Sequence, residues 1–483
     1  ITENMSDIKK LAGQTAVYSI PTIIGRFLNY LLVPVYTYTL APESYGIVSE
    51  LYAYVSFLMI LLTYGMETAF FRFSQDKDKG NKVYNTAMLS LFCTTGIFLV
   101  ATLLNLDGIS NLMSYSSHKN YITYFLIIVS LDALRAVPYA KLRHENKAAR
   151  FAFIKSMDIF SNIGFNLLFF FVIKPKDLVM CIFLSNMFAS AISALLLLPQ
   201  YLQFRFDFDL KLLKCMLLYG LPVMIGGFAG MVNETFDRIA LRHLSRCPQE
   251  TADCNNWIMG QIGIYGACYK LSIIMSLFIQ AFKFAAEPFF FSKMNRSDAK
   301  QTYAKVLNVY TLFLLTVFLG VVAYMDILQY FVGEQYRSGL KIVPILLLAN
   351  LCLGVYYNLS VWYKVSDKTI YGAYISIIGA IITLVMNYLL VPIYGYIGAA
   401  WTTLLCYVSI MVLCYFTGQK YYPVNYPVKR LMLYTLFALL LFGIMQMIGT
   451  NAGMAIRLTA NTLLLSGFIF TAYRLDVRKL LKA

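Results

Sequence analysis

The chain has 483 residues, of which 59% are hydrophobic and 13% charged, with a mean hydropathy of +0.65. A water-soluble domain carries about 25% charged residues, so this composition excludes a soluble globular protein. The net charge of +16 does not argue for nucleic acid, because the basic residues are scattered through short loops and no basic domain exists.

A membrane span needs about 20 mostly apolar residues, and backbone groups in lipid must be satisfied within the segment. Runs of this length are helices rather than barrel strands. Fourteen such spans follow one another, at about 12–40, 46–71, 84–104, 120–140, 151–173, 178–199, 212–237, 259–286, 303–325, 341–363, 370–391, 396–417, 431–449 and 455–472. No loop between them has room for a soluble domain. The first span is too long for a cleavable signal peptide.

Placing the N-terminus in the cytoplasm puts roughly 27 Lys and Arg on the cytoplasmic side, about 8 on the other and about five inside spans. KLRHENKAAR (141–150) and YRLDVRKLLKA (473–483) lie on the rich side. Both termini are therefore expected to be cytoplasmic. This bias explains most of the positive charge without an anionic partner.

The pattern restarts half-way. Span one contains YSIPTIIG (18–25) and span seven YGLPVMIG (219–226), so Tyr, Pro, Ile and Gly recur at an offset of 201. ESYGIVSELYAYVS (43–56) is echoed by GIYGACYKLSII (263–274), and NLLFFFVI from Asn166 by NYLLVPI from Asn387. Six spans separate the copies, so both enter the membrane in the same direction. This predicts two similar lobes related by an axis along the membrane normal. The lobes are 1–205 (spans one to six) and 206–420 (spans seven to twelve), with two further helices and a tail in 421–483. Pro21 and Pro222 each remove a backbone bond. Pro222 followed by Gly226 and Gly227 predicts a flexing or broken seventh helix, or else a fixed kink used only for packing.

Charges inside spans are costly, at least about 2.5–3.5 kcal/mol each at the bilayer centre, so each asks for a partner, water or a ligand. Asp132 with Arg135, Lys155 with Asp158, and Lys283 with Glu287 are three or four residues apart and share helix faces. Arg26 and Lys270 have no acid at that spacing, and the two stand in opposite lobes. Arg26 cannot shed its proton, whereas Lys270 is able to. A wet cavity lined by one basic group from each lobe suits an anion, and the arginine fork suits phosphate oxygens. The alternative is an inter-helix ion pair with Glu50, Glu67 or Asp237. Embedded carboxylates serve as proton or sodium sites in transporters, which makes Glu50, Glu67 and Asp237 candidate coupling-ion sites. For Glu234 and Asp237 an interfacial pairing with Arg238 is the preferred reading.

The nine cysteines include no CxxC pair. Cys247 and Cys254 share one polar loop, and a disulfide between them stays open, because spacing alone does not establish a bridge. His118, His144 and His243 are dispersed and indicate no metal site.

LAPESYG (40–46), FDFDLKLLKCMLLYGLPVMIGG (206–227), NETFDRIAL (233–241), IGIYGACYKLSIIMSLFIQAFKFAAEPFFF (262–291) and NYLLVPIYGYIGAAWTTLLCY (387–407) occur in this order. Together they resemble the polysaccharide (O-antigen, Wzx-type) flippases of the multidrug/oligosaccharidyl-lipid/polysaccharide exporter superfamily. The resemblance runs over nearly the whole chain. It implies an all-α polytopic membrane protein with two six-helix lobes around a central cavity. It also implies movement of undecaprenyl-diphosphate-linked oligosaccharide from the inner to the outer leaflet of a bacterial inner membrane, by alternating access and without ATP. Carried over by helix, Arg26 and Lys270 would hold the diphosphate, with Arg135 and Lys155 as second choices. Lipid II flippases are less similar, since Arg26 is the only arginine in span one.

No cofactor is expected. Coupling to sodium, protons or the membrane potential is left open, and a monomer is the default, alone or beside other polysaccharide-assembly proteins. A multidrug or metabolite cation antiporter of the same fold would favour acidic cavity groups. A membrane polysaccharide polymerase or ligase would need an extended outer loop carrying acid/base residues, and the longest here, about 238–258, is modest.

Overall fold

The computed structural model describes residue 25 and residues 27–75, 80–248, 253–294, 296–448 and 453–477. Among these residues there are helices, turns and bends but no strands. A short helix, α1 (Leu32–Thr39), ends the first span, most of which lies outside the described residues. Thirteen helices of membrane-crossing length and apolarity follow. They are α2 (Pro42–Phe73), α3 (Gly80–Leu104), α4 (Ser116–His144), α5 (Ala148–Ile173), α6 (Leu178–Leu196), α7 (Leu210–Leu244) and α8 (Cys254–Lys293). After them come α9 (Ala299–Ala323), α10 (Glu334–Val365), α11 (Ile370–Tyr394), α12 (Tyr396–Tyr421), α13 (Val428–Ile448) and α14 (Met454–Asp476). They match the second to fourteenth predicted spans in order. The chain is thus an all-α, multi-pass membrane protein.

The described residues fall into two compact units. One holds residues 25–35 and 47–231, the other 36–46 and 232–477, so the division falls inside α7.

In the first unit, α2 is interrupted at Tyr64 and Gly65, both with positive φ (31° and 74°). Gly65 is required there twice over. Its φ is left-handed, and a Cβ would strike the backbone oxygen of Gly220. Below the break, Met66, Phe70, Tyr84, Met88, Leu91, Val137 and Met216 form one buried core. The Asp177 side chain caps α6 by accepting the Met180 N–H at 3.0 Å. α7 runs unbroken through Pro222, Gly226 and Gly227. Of the readings open from the sequence, a break is not formed, whereas a flexing helix and a fixed kink both fit a continuous helix.

The second unit explains LAPESYG. Gly46 lies so close to α8 that a Cβ would overlap the Met259 carbonyl oxygen, and Gly263 meets the Pro42 carbonyl in the same way. The Tyr336 hydroxyl donates to the Leu40 carbonyl at 2.9 Å, and the Gly333 N–H donates to Thr37 Oγ1 at 3.1 Å. Residues 37–46 are thereby held by close backbone approach to α8 and by side-chain-to-backbone hydrogen bonds around the start of α10. At the start of α8, Asp253 caps the helix by accepting from the Asn256 N–H at 3.1 Å.

The sequence echoes have structural counterparts within each unit. Asn166 in α5 and Asn387 in α11 are both fully buried. Each donates its amide Nδ2 to the carbonyl four residues earlier, Asn162 at 2.8 Å and Thr383 at 2.9 Å. The apolar side chains left exposed, such as Leu433, Leu436, Leu440 and Met447 on α13, are consistent with lipid as the solvent of this surface.

Candidate functional site

Helices α4, α5 and α6 bring a charged network together in the first unit. Arg135 on α4 is buried, with 5% of its surface exposed. Its guanidinium binds Asp132 one turn earlier on the same helix, and Asp158 on α5 at 2.9 Å. It also donates to Ser190 Oγ on α6 at 3.1 Å, and Ser190 in turn donates to Asp132 at 2.8 Å. Two carboxylates, one guanidinium and one hydroxyl therefore close a network across three helices.

The expected ion pair of Lys155 with Asp158 is not formed. Asp158 turns to Arg135 instead, since a guanidinium offers several fixed donors where an ammonium offers a point charge. Lys155 is half-buried, makes no ion pair within 4.0 Å among the described residues, and rests over the Tyr139 ring at 4.3 Å from its centroid. The ring face gives it partial compensation. Tyr139 is held by Ser193 at 2.5 Å. Of the basic candidates described, Arg135 is committed to two carboxylates and Lys155 keeps its ammonium uncommitted to any acid in contact.

Nearer the 141–150 loop, Glu67 on α2 is paired with Arg143 on α4, whose guanidinium also stacks on Phe71 at 5.0 Å. Lys141 sits over Tyr84 at 3.8 Å. Glu50 on α2 is buried and accepts the Tyr115 hydroxyl at 2.6 Å.

The second unit holds its own buried pair. Asp237 and Arg238 on α7 bond at 2.8 Å, and the Tyr265 hydroxyl donates to the other Asp237 oxygen. Arg238 also lies over Tyr269 at 4.4 Å. The pairing read from sequence holds, but it is buried among α8 tyrosines rather than interfacial. Glu234 is exposed and lends its backbone carbonyl to Arg238 at 3.2 Å. Lys270 is half-buried on α8, one residue beyond Tyr269. The expected pair of Lys283 with Glu287 gives way to Lys364 on α10, which binds Glu287, while Lys283 lies over Tyr357 at 4.5 Å. Here too a partner from another helix reaches the acid better than the residue one turn away.

Pro21 and Arg26 lie outside the described residues. Cys247 and Cys254 are free thiols, so the disulfide left open by the sequence is not formed in this structure.

The partners that sequence reasoning missed are Ser190, Tyr139, Arg143, Tyr115, Tyr265 and Lys364. Each comes from a different segment of the chain than the charge it serves, so no local spacing announces it.

A family described as polysaccharide biosynthesis protein matches residues 11–294. Two relatives from Haemophilus influenzae match at low identity. One, named an uncharacterized membrane protein, is 20% identical over 361 residues, 73% of this chain and 83% of the relative. The other, named Lsg locus putative protein 1, is 22% identical over 362 residues, 73% of this chain and 84% of its own length. Among solved structures, the lipid II flippase MurJ in an inward closed conformation aligns with a TM-score of 0.75 at 14% identity, over 95% of this chain and 98% of MurJ. An inward-facing multidrug resistance MATE family transporter of the MOP superfamily aligns with a TM-score of 0.66 at 15% identity, over 84% of this chain and 97% of that one. These likenesses, at 14% and 15% identity, show a fold that this chain shares with both proteins.

Proposed function

Because the chain belongs to the polysaccharide biosynthesis protein family, whose match spans more than half of it, we propose that it is a flippase for a lipid-linked oligosaccharide. The cargo is a polyprenyl-diphosphate carrying a cell-surface sugar repeat, moved from the inner to the outer leaflet of a bacterial inner membrane by alternating access, without ATP. The likeness in fold to a lipid II flippase supports a lipid-linked cargo. The observation that carries the reading is the family match itself, which includes the intramembrane Lys155 and Lys270 within its limits.

The chemistry fits this task. A diphosphate does not cross hydrocarbon bare, because burying unpaired charge is prohibitive. Lys155 offers an ammonium that no carboxylate contacts among the described residues, and Lys270 and Arg26 are the further basic groups proposed for the diphosphate. Arg135 has a different role in this proposal. Held by Asp132 and Asp158, it fixes α4 against α5 and so positions Lys155. Glu67, paired with Arg143, is a weaker candidate for a coupling ion than Glu50 or Asp237.

Reconstituted vesicles test the proposal. Accessibility of a lipid-linked oligosaccharide to an external glycosidase is followed with time, beside uptake of a cationic drug. The proposal expects the sugar lipid to be moved and the drug to be ignored. Drug movement without lipid flipping would assign the chain to the antiporter branch instead.

A further inference from the structure

α13 and α14 stand outside the sequence repeat, and within the second unit they enclose a cavity against the end of α9. It measures about 200 Å³. Its polar lining is Asp326, just past α9; Gln446, near the end of α13; and Arg457 and Asn461, in the first turns of α14. Met445 and Val322 supply apolar walls. All four polar residues lie at the same ends of their helices, the ends that the Lys and Arg count places away from the cytoplasm.

Three features make this a built site. Arg457 and Asp326 bond at 3.1 Å and remain 27% and 21% exposed, so both ions of the pair still face the opening. Asn461 is only 7% exposed, and its Nδ2 is fixed on the Ala323 carbonyl at 3.1 Å. Its Oδ1 has no hydrogen-bond partner among the described residues. A buried acceptor left unmade is costly, and a ligand donor would satisfy it.

We propose that this cavity binds the headgroup of a zwitterionic phospholipid, with the phosphate on Arg457 and the ammonium on Asp326. An ion pair that presents both signs at one mouth matches a ligand that carries both. An anionic headgroup would meet Asp326, and a sugar ring would find no aromatic face in the lining. The position at helix ends is the headgroup level of a bilayer, and the apolar walls suit the glycerol and the first methylenes. The two helices added to the repeat thereby gain a lipid-anchoring task separate from the cargo.

The test uses the full chain, purified in detergent and incubated with equal amounts of phosphatidylethanolamine and phosphatidylglycerol bearing the same acyl chains. Retained lipid is counted by native mass spectrometry. The expected result is at least a fivefold preference for phosphatidylethanolamine. Asp326→Asn should shift the preference towards phosphatidylglycerol, and Asn461→Leu should lower phosphatidylethanolamine retention several-fold. Gln446→Leu, on the exposed rim, is the variant for which folding is least at risk, and it should weaken retention without reversing preference. Equal retention of the two lipids by the unmodified chain would overturn the proposal, as would an unchanged preference in Asp326→Asn or unchanged phosphatidylethanolamine retention in both Asn461→Leu and Gln446→Leu. Glycerophosphoethanolamine, the same headgroup without chains, is included as a competitor. Displacement of the lipid by it at equal concentration would identify a soluble ligand and overturn the lipid assignment.

Discussion

Asp158 on α5 bonds to Arg135 on α4 at 2.9 Å and leaves Lys155, three residues before it on its own helix, over the Tyr139 ring. The two basic side chains thereby take different parts. Arg135 is held between carboxylates, and Lys155 is left without a contacting acid among the described residues.

Removing Arg135 should therefore damage the fold, and removing Lys155 should not. Arg135→Gln strands Asp132 and Asp158 beside each other, and breaking a buried ion network of this kind costs about 3–5 kcal/mol. The exposure of the two carboxylates, 24% and 21%, puts the expectation near the lower end, about 3 kcal/mol. Lys155→Gln loses a cation–ring contact worth about 0.5–2 kcal/mol. Thermal unfolding in detergent checks the order of the two. A Lys155 variant as destabilised as the Arg135 variant would contradict this division.

Sequence spacing announced Asp132 with Arg135, because the partners are one turn apart, and that pair forms. It misassigned Asp158 and Glu287, since both acids bond across to a neighbouring helix and periodicity carries no information about which faces meet. The order of the second to fourteenth spans was legible from apolarity alone, but their lengths were not, since α8 (Cys254–Lys293) and α10 (Glu334–Val365) run beyond the apolar stretches 259–286 and 341–363. The buried asparagines Asn166 and Asn387 were legible as a repeat, though their shared hydrogen bond to the carbonyl four residues back was not. LAPESYG was legible as a family feature. That its glycine is needed for backbone contact with Met259 required three dimensions.

That contact gives a second prediction. Gly46→Ala or Gly263→Ala places a methyl group against a backbone carbonyl, which yields less than a side chain would. Overpacking costs about 1–3 kcal/mol, and the upper end is expected. Gly320 on α9 has nothing within 4 Å of the added carbon, so Gly320→Ala should be neutral or stabilise the helix by up to about 1 kcal/mol. Melting temperatures of the three variants measure the contrast. Equal effects at Gly46 and Gly320 would remove the backbone-contact argument.

Asp209 supplies a pH-dependent element at the entry to α7. Its carboxylate accepts the Leu212 N–H at 3.1 Å, bonds to Lys82 at 3.1 Å and accepts the Lys211 N–H at 2.9 Å. These contacts, the Leu212 N–H foremost, hold its pKa below the ordinary carboxylate value. A carboxylate with a lowered folded pKa stabilises the fold above the unfolded value, about 3.9, and that contribution is lost as pH falls through the folded pKa. The difference in melting temperature between the unmodified chain and Asp209→Asn should be constant from pH 7 to about pH 5 and shrink below about pH 4. A difference that does not change with pH would exclude the charged cap.

The central claim is that basic groups inside the membrane hold a diphosphate during flipping. The most direct measurement is the rate at which lipid-linked oligosaccharide becomes accessible outside vesicles holding equal amounts of unmodified, Lys155→Gln, Lys270→Gln or Arg26→Gln protein. A charge-assisted bond to phosphate is worth about 1.5–3 kcal/mol, so each variant should slow flipping by roughly ten- to a hundredfold, and Lys155→Gln should do so with a smaller loss of melting temperature than Arg135→Gln. Flipping at the unmodified rate in all three variants would contradict the account.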